Sequence, residues 1–196
     1  MKNAIKILIQ NYDSCGMKAE YEGTKTFYEA VSCHYWNRRG ACVKRPHQNR
    51  QRISNARLYK FANLLVEKQS VLESCTSYEG LKKEIDDVVC TGIGPVTRYD
   101  IATAIGYLQN PKVLPQKYVY LHAGVAKGYA ALVAMGLVPP CNDGKVDIGV
   151  FDFLKDLQLL DIEKHHIPYG ATFSMLVEDF LCVMHEELAN MATTSK

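Results

Sequence analysis

Apolar positions along the chain recur mostly at helical spacing. Leu81, Ile85, Val88 and Val89 fall at i, i+4, i+7 and i+8, and Ile101, Ala104, Ile105 and Leu108 at i, i+3, i+4 and i+7. Each set marks one face of a helix. Between them stands Cys90-Thr91-Gly92-Ile93-Gly94-Pro95-Val96-Thr97, a Gly-x-Gly turn. The same spacing predicts a helix over 25–35, with Phe27, Ala30, Val31 and His34 on one side. Another starts after Ser54, a plausible N-cap, and carries Leu58, Phe61, Ala62 and Leu65 in a stripe running on to Leu72. Thr76-Ser77-Tyr78-Glu79 fits a capping box opening the helix before the glycine turn.

Further helices are expected over 122–135, 150–157 and 171–190, the last with Leu176, Phe180, Val183 and Met184 turned inward. An apolar segment over 4–9 is followed by a break at 13–16. Tyr118-Val119-Tyr120-Leu121 is β-prone, but no partner strand is evident, so it reads as an extended entry to the next helix. Prolines make 110–116 a connection, and 139–144 and 168–170 are turns. The expected fold is all-α: one helical domain, 1–196, with a central helix-hairpin-helix element. Within it, 1–75 form a basic lobe, 76–136 the core and 137–196 acidic helices.

At 196 residues and 47% apolar, the chain can bury a proper core. No run approaches the roughly 18 apolar residues of a membrane span, and no signal-peptide cleavage pattern follows the first residues. An intracellular, cytoplasmic protein without a membrane partner is expected. Seven cysteines, with no Cys-x-x-Cys pair, argue against a disulfide framework. Most are expected to be buried free thiols. Cys33, His34, Cys42 and His47 match no standard zinc spacing, and no zinc is expected.

Charge changes the picture more. Residues 30–66 contain no acidic side chain but eight of the 23 basic ones: Arg38, Arg39, Lys44, Arg45, Arg50, Arg52, Arg57 and Lys60. Such segregation suits a polyanion partner. It equally suits the chain's own acidic third, where 143–187 holds ten carboxylates against three lysines. At the glycine turn, the amides of Gly94, Val96 and Thr97 open a helix whose N-terminus favours a phosphate. Gly92 and Gly94 would supply positive φ, and Arg98 a side-chain contact. The expected nucleic-acid contacts are therefore Gly92, Gly94, Val96, Thr97, Arg98, Arg38, Arg39, Lys44, Arg45, Arg50 and Arg52. Tyr35 and Trp36 stand ready to stack on bases, or to anchor the core.

Thr91-Gly92-Ile93-Gly94-Pro95 resembles the hairpin of helix-hairpin-helix DNA-binding proteins. The stretch 81–132, about a quarter of the chain, resembles the second half of the helix-hairpin-helix DNA glycosylase superfamily. There a Val-Asp-x-His segment starts the helix after the proline connection; here it reads Val119-Tyr120-Leu121-His122. The family's catalytic aspartate thus falls on Tyr120, and the lysine of its backbone-cleaving members on Val96. Neither can do that chemistry, so standard glycosylase or lyase activity is not expected. The resemblance implies DNA as the favoured nucleic acid and a monovalent cation on the Cys90 and Ile93 carbonyls, with no other cofactor. Residues 92–102 and 120–124, together with Pro46-His47-Gln48-Asn49-Arg50, also resemble a group of uncharacterised helical proteins.

Two other readings stay open. One is an enzyme acting on a small anionic substrate, with His47, Arg50, Arg52 and His122 lining a pocket near Asp100 and Tyr120. Histidine titrates near neutral pH, though a helix-entry role explains His122 equally well. The other is a protein-interaction module in which the hairpin merely packs. Gly124 and Gly128 share a helix face and are expected to allow close helix packing.

Overall fold

Most of the chain is helical because its apolar residues fall on helical stripes and its breakers fall between them. The structure, a computed structural model, describes residues 2–12, 21–32, 53–160 and 169–194. The helices are α1 (Lys2–Asn11), α2 (Phe27–Ser32), α3 (Asn55–Glu67), α4 (Gln69–Glu73), α5 (Tyr78–Asp86), α6 (Pro95–Leu108), α7 (Ala123–Ala134), α8 (Asp152–Asp156), α9 (Phe173–Val183) and α10 (His185–Thr194). Two short strands, β1 (Tyr118–Tyr120) and β2 (Lys145–Asp147), and a 3-10 turn (Ile148–Phe151) are also described, and 21–23 are helical. The fold is all-α. No helix among the described residues is long and apolar enough to cross a membrane.

The chain divides into two compact units, Lys18–Leu114 and Met1–Met17 with Pro115–Lys196. In the first, α6 packs against α2, α4 and α5. It is apolar nearly all round, from Thr97 to Tyr107, as a helix enclosed by its neighbours must be. Tyr78 of α5 is buried against it, its hydroxyl bonded to Thr103 Oγ1 at 2.9 Å. Ser77 caps α5 by accepting from the Gly80 amide at 3.2 Å, one residue later than the capping box predicts.

In the second unit, Ile5 and Ile9 of α1 join Val125 and Leu132 of α7, Phe151, Phe180 of α9 and Leu188 of α10 in one core. Gly124 and Gly128 do allow close packing, against α9. A methyl group at Gly128 would stand 2.5 Å from the Leu181 carbonyl oxygen.

Three local readings are corrected. Tyr118–Tyr120 has a partner after all: it pairs antiparallel with β2, Val119 opposite Val146. Three residues are too few for a two-residue period to register, and the partner lies beyond an intervening helix. The helix expected over 171–190 is two, broken at Met184 (φ −97°, ψ 16°), and both α9 and α10 pack on α7. The stripe from Leu58 to Leu72 also breaks, at Lys68, whose ammonium reaches Glu84 of α5 at 2.8 Å.

Candidate nucleic-acid interface

The glycine turn joins the end of α5 to the start of α6, and the two helices pack together. Only one of its glycines needs to be glycine. Gly92 has φ +86°, in the region L side chains avoid, whereas Gly94 at φ −84° and ψ 173° has ordinary extended backbone. The expectation of positive φ at both glycines is corrected at Gly94. Val89 is corrected as well: α5 ends at Asp86, and Val89 leaves the helical stripe to stand 88% exposed, while Val88 stays buried.

Arg98 organises the turn from inside. Its guanidinium donates to the carbonyls of Ile85 (2.6 Å), Asp86 (3.3 Å), Val88 (2.9 Å) and Ile93 (3.3 Å), and lies 4.8 Å from the Phe61 ring centre. A helix leaves its last carbonyls without intrahelical donors, and its C-terminus favours positive charge. Arg98 meets both needs at α5. The Ile93 carbonyl named for a monovalent cation therefore already faces a guanidinium. The Cys90 carbonyl accepts from the Ile93 amide at 3.4 Å.

At the other end of the turn, Gly94 is the N-cap of α6 and Pro95 its first residue. As a glycine, Gly94 offers this 14-residue helix no side-chain cap. Gly94 is half-buried, and a methyl group on it would meet nothing within 4 Å. Val96 is half-buried and Thr97 buried. Beside them stands a residue left out of the expected contacts: a methyl group at Gly92 would be 2.8 Å from Arg57 Nη1. Arg57 is exposed, in the first turn of α3. Its place in the acid-free stretch was visible, but its position over the glycine turn depends on how α3 packs. Carboxylates are close too, though Asp86 and Asp87 pair with Lys82 and Lys83 at 2.6 and 2.9 Å.

The other candidates are placed as follows. Arg38, Arg39, Lys44, Arg45, His47, Arg50 and Arg52 lie outside the described residues. Asp100 is half-buried on α6, in the 18–114 unit, whereas Tyr120 and His122 belong to the other unit. Of the described cysteines Cys90 is buried, whereas Cys75, Cys141 and Cys182 are half-buried, which corrects the expectation of burial at these three. No three His, Cys, Asp or Glu side chains among the described residues gather as metal ligands would.

His122 is the N-cap of α7, and its Nε2 lies 3.6 Å from Glu178 Oε1 on α9, with the two side chains only 9% and 13% exposed. The distance suits an ion pair. Burial, then the adjacent Asp179 charge, nevertheless pushes the Glu178 carboxyl well above the usual carboxylate range, which favours its protonated form. Asp179 in turn accepts from the Tyr12 hydroxyl. A folded state that binds a proton more tightly than the unfolded chain is most stable at low pH. Its stability falls as pH rises from the ordinary value near 4.5 through the raised one. One group changes stability by at most about 1.4 kcal/mol per pH unit. Glu178→Gln cannot ionise and is expected to remove that fall. Urea unfolding at several pH values reads the effect as a variant-minus-native difference that grows with pH. Parallel profiles would mean Glu178 is ionised in the fold and paired with His122.

Compared with known protein families, characterised proteins and solved structures, the chain matches none.

Proposed function

We propose that the chain binds nucleic acid, DNA in preference, by gripping the phosphate backbone at the turn between α5 and α6. The observation that carries this reading is the N-terminus of α6, where Gly94 supplies no side-chain cap and the exposed Arg57 guanidinium stands alongside. Backbone amides and the helix dipole favour an anion there, and an arginine fork matches phosphate geometry. The exposed Val89 adds an apolar contact for a sugar edge. By sequence, Arg38, Arg39, Lys44, Arg45, Arg50 and Arg52 continue the acid-free stretch that contains Arg57. Contacts of this kind position a duplex without reading its bases, so specificity is modest. Base excision is not part of the proposal, because Tyr120 and Val96 stand where the family it resembles carries aspartate and lysine.

Fluorescence anisotropy with labelled duplex, single-stranded DNA and RNA over a salt series tests it. Affinity is expected to fall linearly on logarithmic axes, and Arg57→Ala to lower the slope by about 0.9, one phosphate contact. Gly94→Asp is the sharper variant. Aspartate is a preferred N-cap and has room at position 94, so stability should hold or rise by a few tenths of a kcal/mol. The added carboxylate repels phosphate, and affinity is expected to drop about tenfold or more. Binding that is absent at about 50 mM salt, or indifferent to both variants, sinks the proposal.

A further inference from the structure

At the opposite end of α6 from the glycine turn, about 20 Å along the helix, the 18–114 unit holds a cleft of about 540 Å³. That size is typical of a small-molecule site. Phe27, Ile105, Leu108 and Val113 contribute its apolar lining. Its polar groups are unevenly satisfied. Gln109 Nε2 donates to the Leu72 carbonyl at 2.9 Å, and because a carbonyl can only accept, this contact fixes which end of the amide faces it. Gln109 Oε1 is then buried with no hydrogen-bond donor among the described residues. A buried acceptor left this way is costly and calls for an explanation.

Two lysines, Lys25 and Lys112, line the same cleft. Lys25 Nζ donates to the Glu22 carbonyl at 2.6 Å. Lys112 Nζ donates to the Tyr107 carbonyl at 3.4 Å and sits 3.2 Å from that ring's centre. Neither has a carboxylate within ion-pair distance among the described residues. The cleft's carboxylate, Glu73, accepts from Gln69 Nε2 at 2.8 Å on its own helix. We infer that this cleft binds a small organic anion, a carboxylate or phosphate, that also carries an N–H or O–H donor. The donor satisfies Gln109 Oε1, and the anion sits between Lys25 and Lys112. Burial pulls the Lys112 ammonium below its usual pKa although the Glu22 carboxylate acts the other way, and a bound anion would add to the effect of Glu22.

The inference is independent of nucleic-acid binding, since it uses the other end of α6. Ligand-observed NMR on the full chain tests it with two arms. One holds amino and hydroxy acids and N–H heterocycle carboxylates; the other holds nucleoside monophosphates. Each compound is paired with its neutral amide or nucleoside. At least one arm is expected to bind, with neutral partners weaker by tenfold or more. Gln109→Met should abolish that binding without lowering the melting temperature, because the Leu72 carbonyl keeps the Cys75 amide as a donor at 3.3 Å. Lys112→Met, a change near the surface, should weaken binding at least tenfold. Silence in both arms at millimolar concentration overturns the inference, as do equal binding by neutral partners or binding that survives Gln109→Met. That last result would mean Oε1 is met by water alone.

Discussion

Alanine at position 106 is expected to cost the 18–114 unit about 1–3 kcal/mol net, although alanine is the better helix former. Gly106 lies in α6, where intrinsic propensity favours alanine by about 1 kcal/mol. Packing opposes it and wins. A methyl group there would stand 1.8 Å from the Val113 carbonyl oxygen and 2.9 Å from its carbon, which are backbone atoms with no rotamer to change. The same segment donates its Val113 amide to the Gly106 carbonyl at 2.9 Å, so moving it away breaks a hydrogen bond. Overpacking of this kind typically costs 1–3 kcal/mol, and the lost bond adds about 1. The segment also carries Lys112, so any surviving fold loses the cleft's geometry. Urea unfolding checks this, with Gly23→Ala as the control, since a methyl group at 23 meets nothing within 4 Å. Equal stability of Gly106→Ala and native protein would show that the approach of residue 113 to α6 is wrong.

The second large effect is expected at Arg98. Arg98→Met keeps the aliphatic stem but leaves four carbonyls, those of Ile85, Asp86, Val88 and Ile93, without their cationic donor. Hydrogen bonds to a charged group are each worth about 1.5–3 kcal/mol, but the side chain is only half-buried and water replaces part of the loss. A total of about 2–4 kcal/mol follows, including roughly 0.5–1 from the contact with Phe61. Lysine rescues little, because a single ammonium cannot span carbonyls that a planar fork reaches together. Denaturant unfolding measures this part. Nucleic-acid binding separates the two roles open to Arg98. A positioning arginine, spent on carbonyls, should lower affinity on removal while leaving the salt slope unchanged. A phosphate-contacting arginine would lower the slope by about 0.9, as Arg57→Ala is expected to do. An unchanged stability with a reduced slope would reverse the assignment made here.

These two effects mark the limit of local reading. The stripe of Ile101, Ala104 and Ile105 was legible because side chains three or four apart share a helix face whatever surrounds them. The glycine turn was legible because Gly and Pro constrain backbone angles locally, and Pro95 does open α6. Arg98 read as an ordinary helix arginine with a phosphate contact to offer. Three of its four partners lie ten to thirteen positions back in the chain and come within reach only when α5 folds against α6. Likewise nothing near Gln109 hints that one end of its amide meets Leu72, 37 positions away, while the other is left without a donor.

Most of the helices and the turn at Gly92 follow from the sequence by itself, since backbone preference and side-chain period act over a few residues. The charge segregation over 30–66 belongs there too. Tertiary structure alone decided that Val119 pairs with Val146, that Gly106 must admit Val113, and that Arg57 lies over Gly92. It also decided that Arg98 turns inward and that Lys25, Gln109 and Lys112 line one cleft. Each of these is a meeting of residues distant in the chain. Such meetings are set by how faces pack, and a one-dimensional pattern carries the faces without their partners.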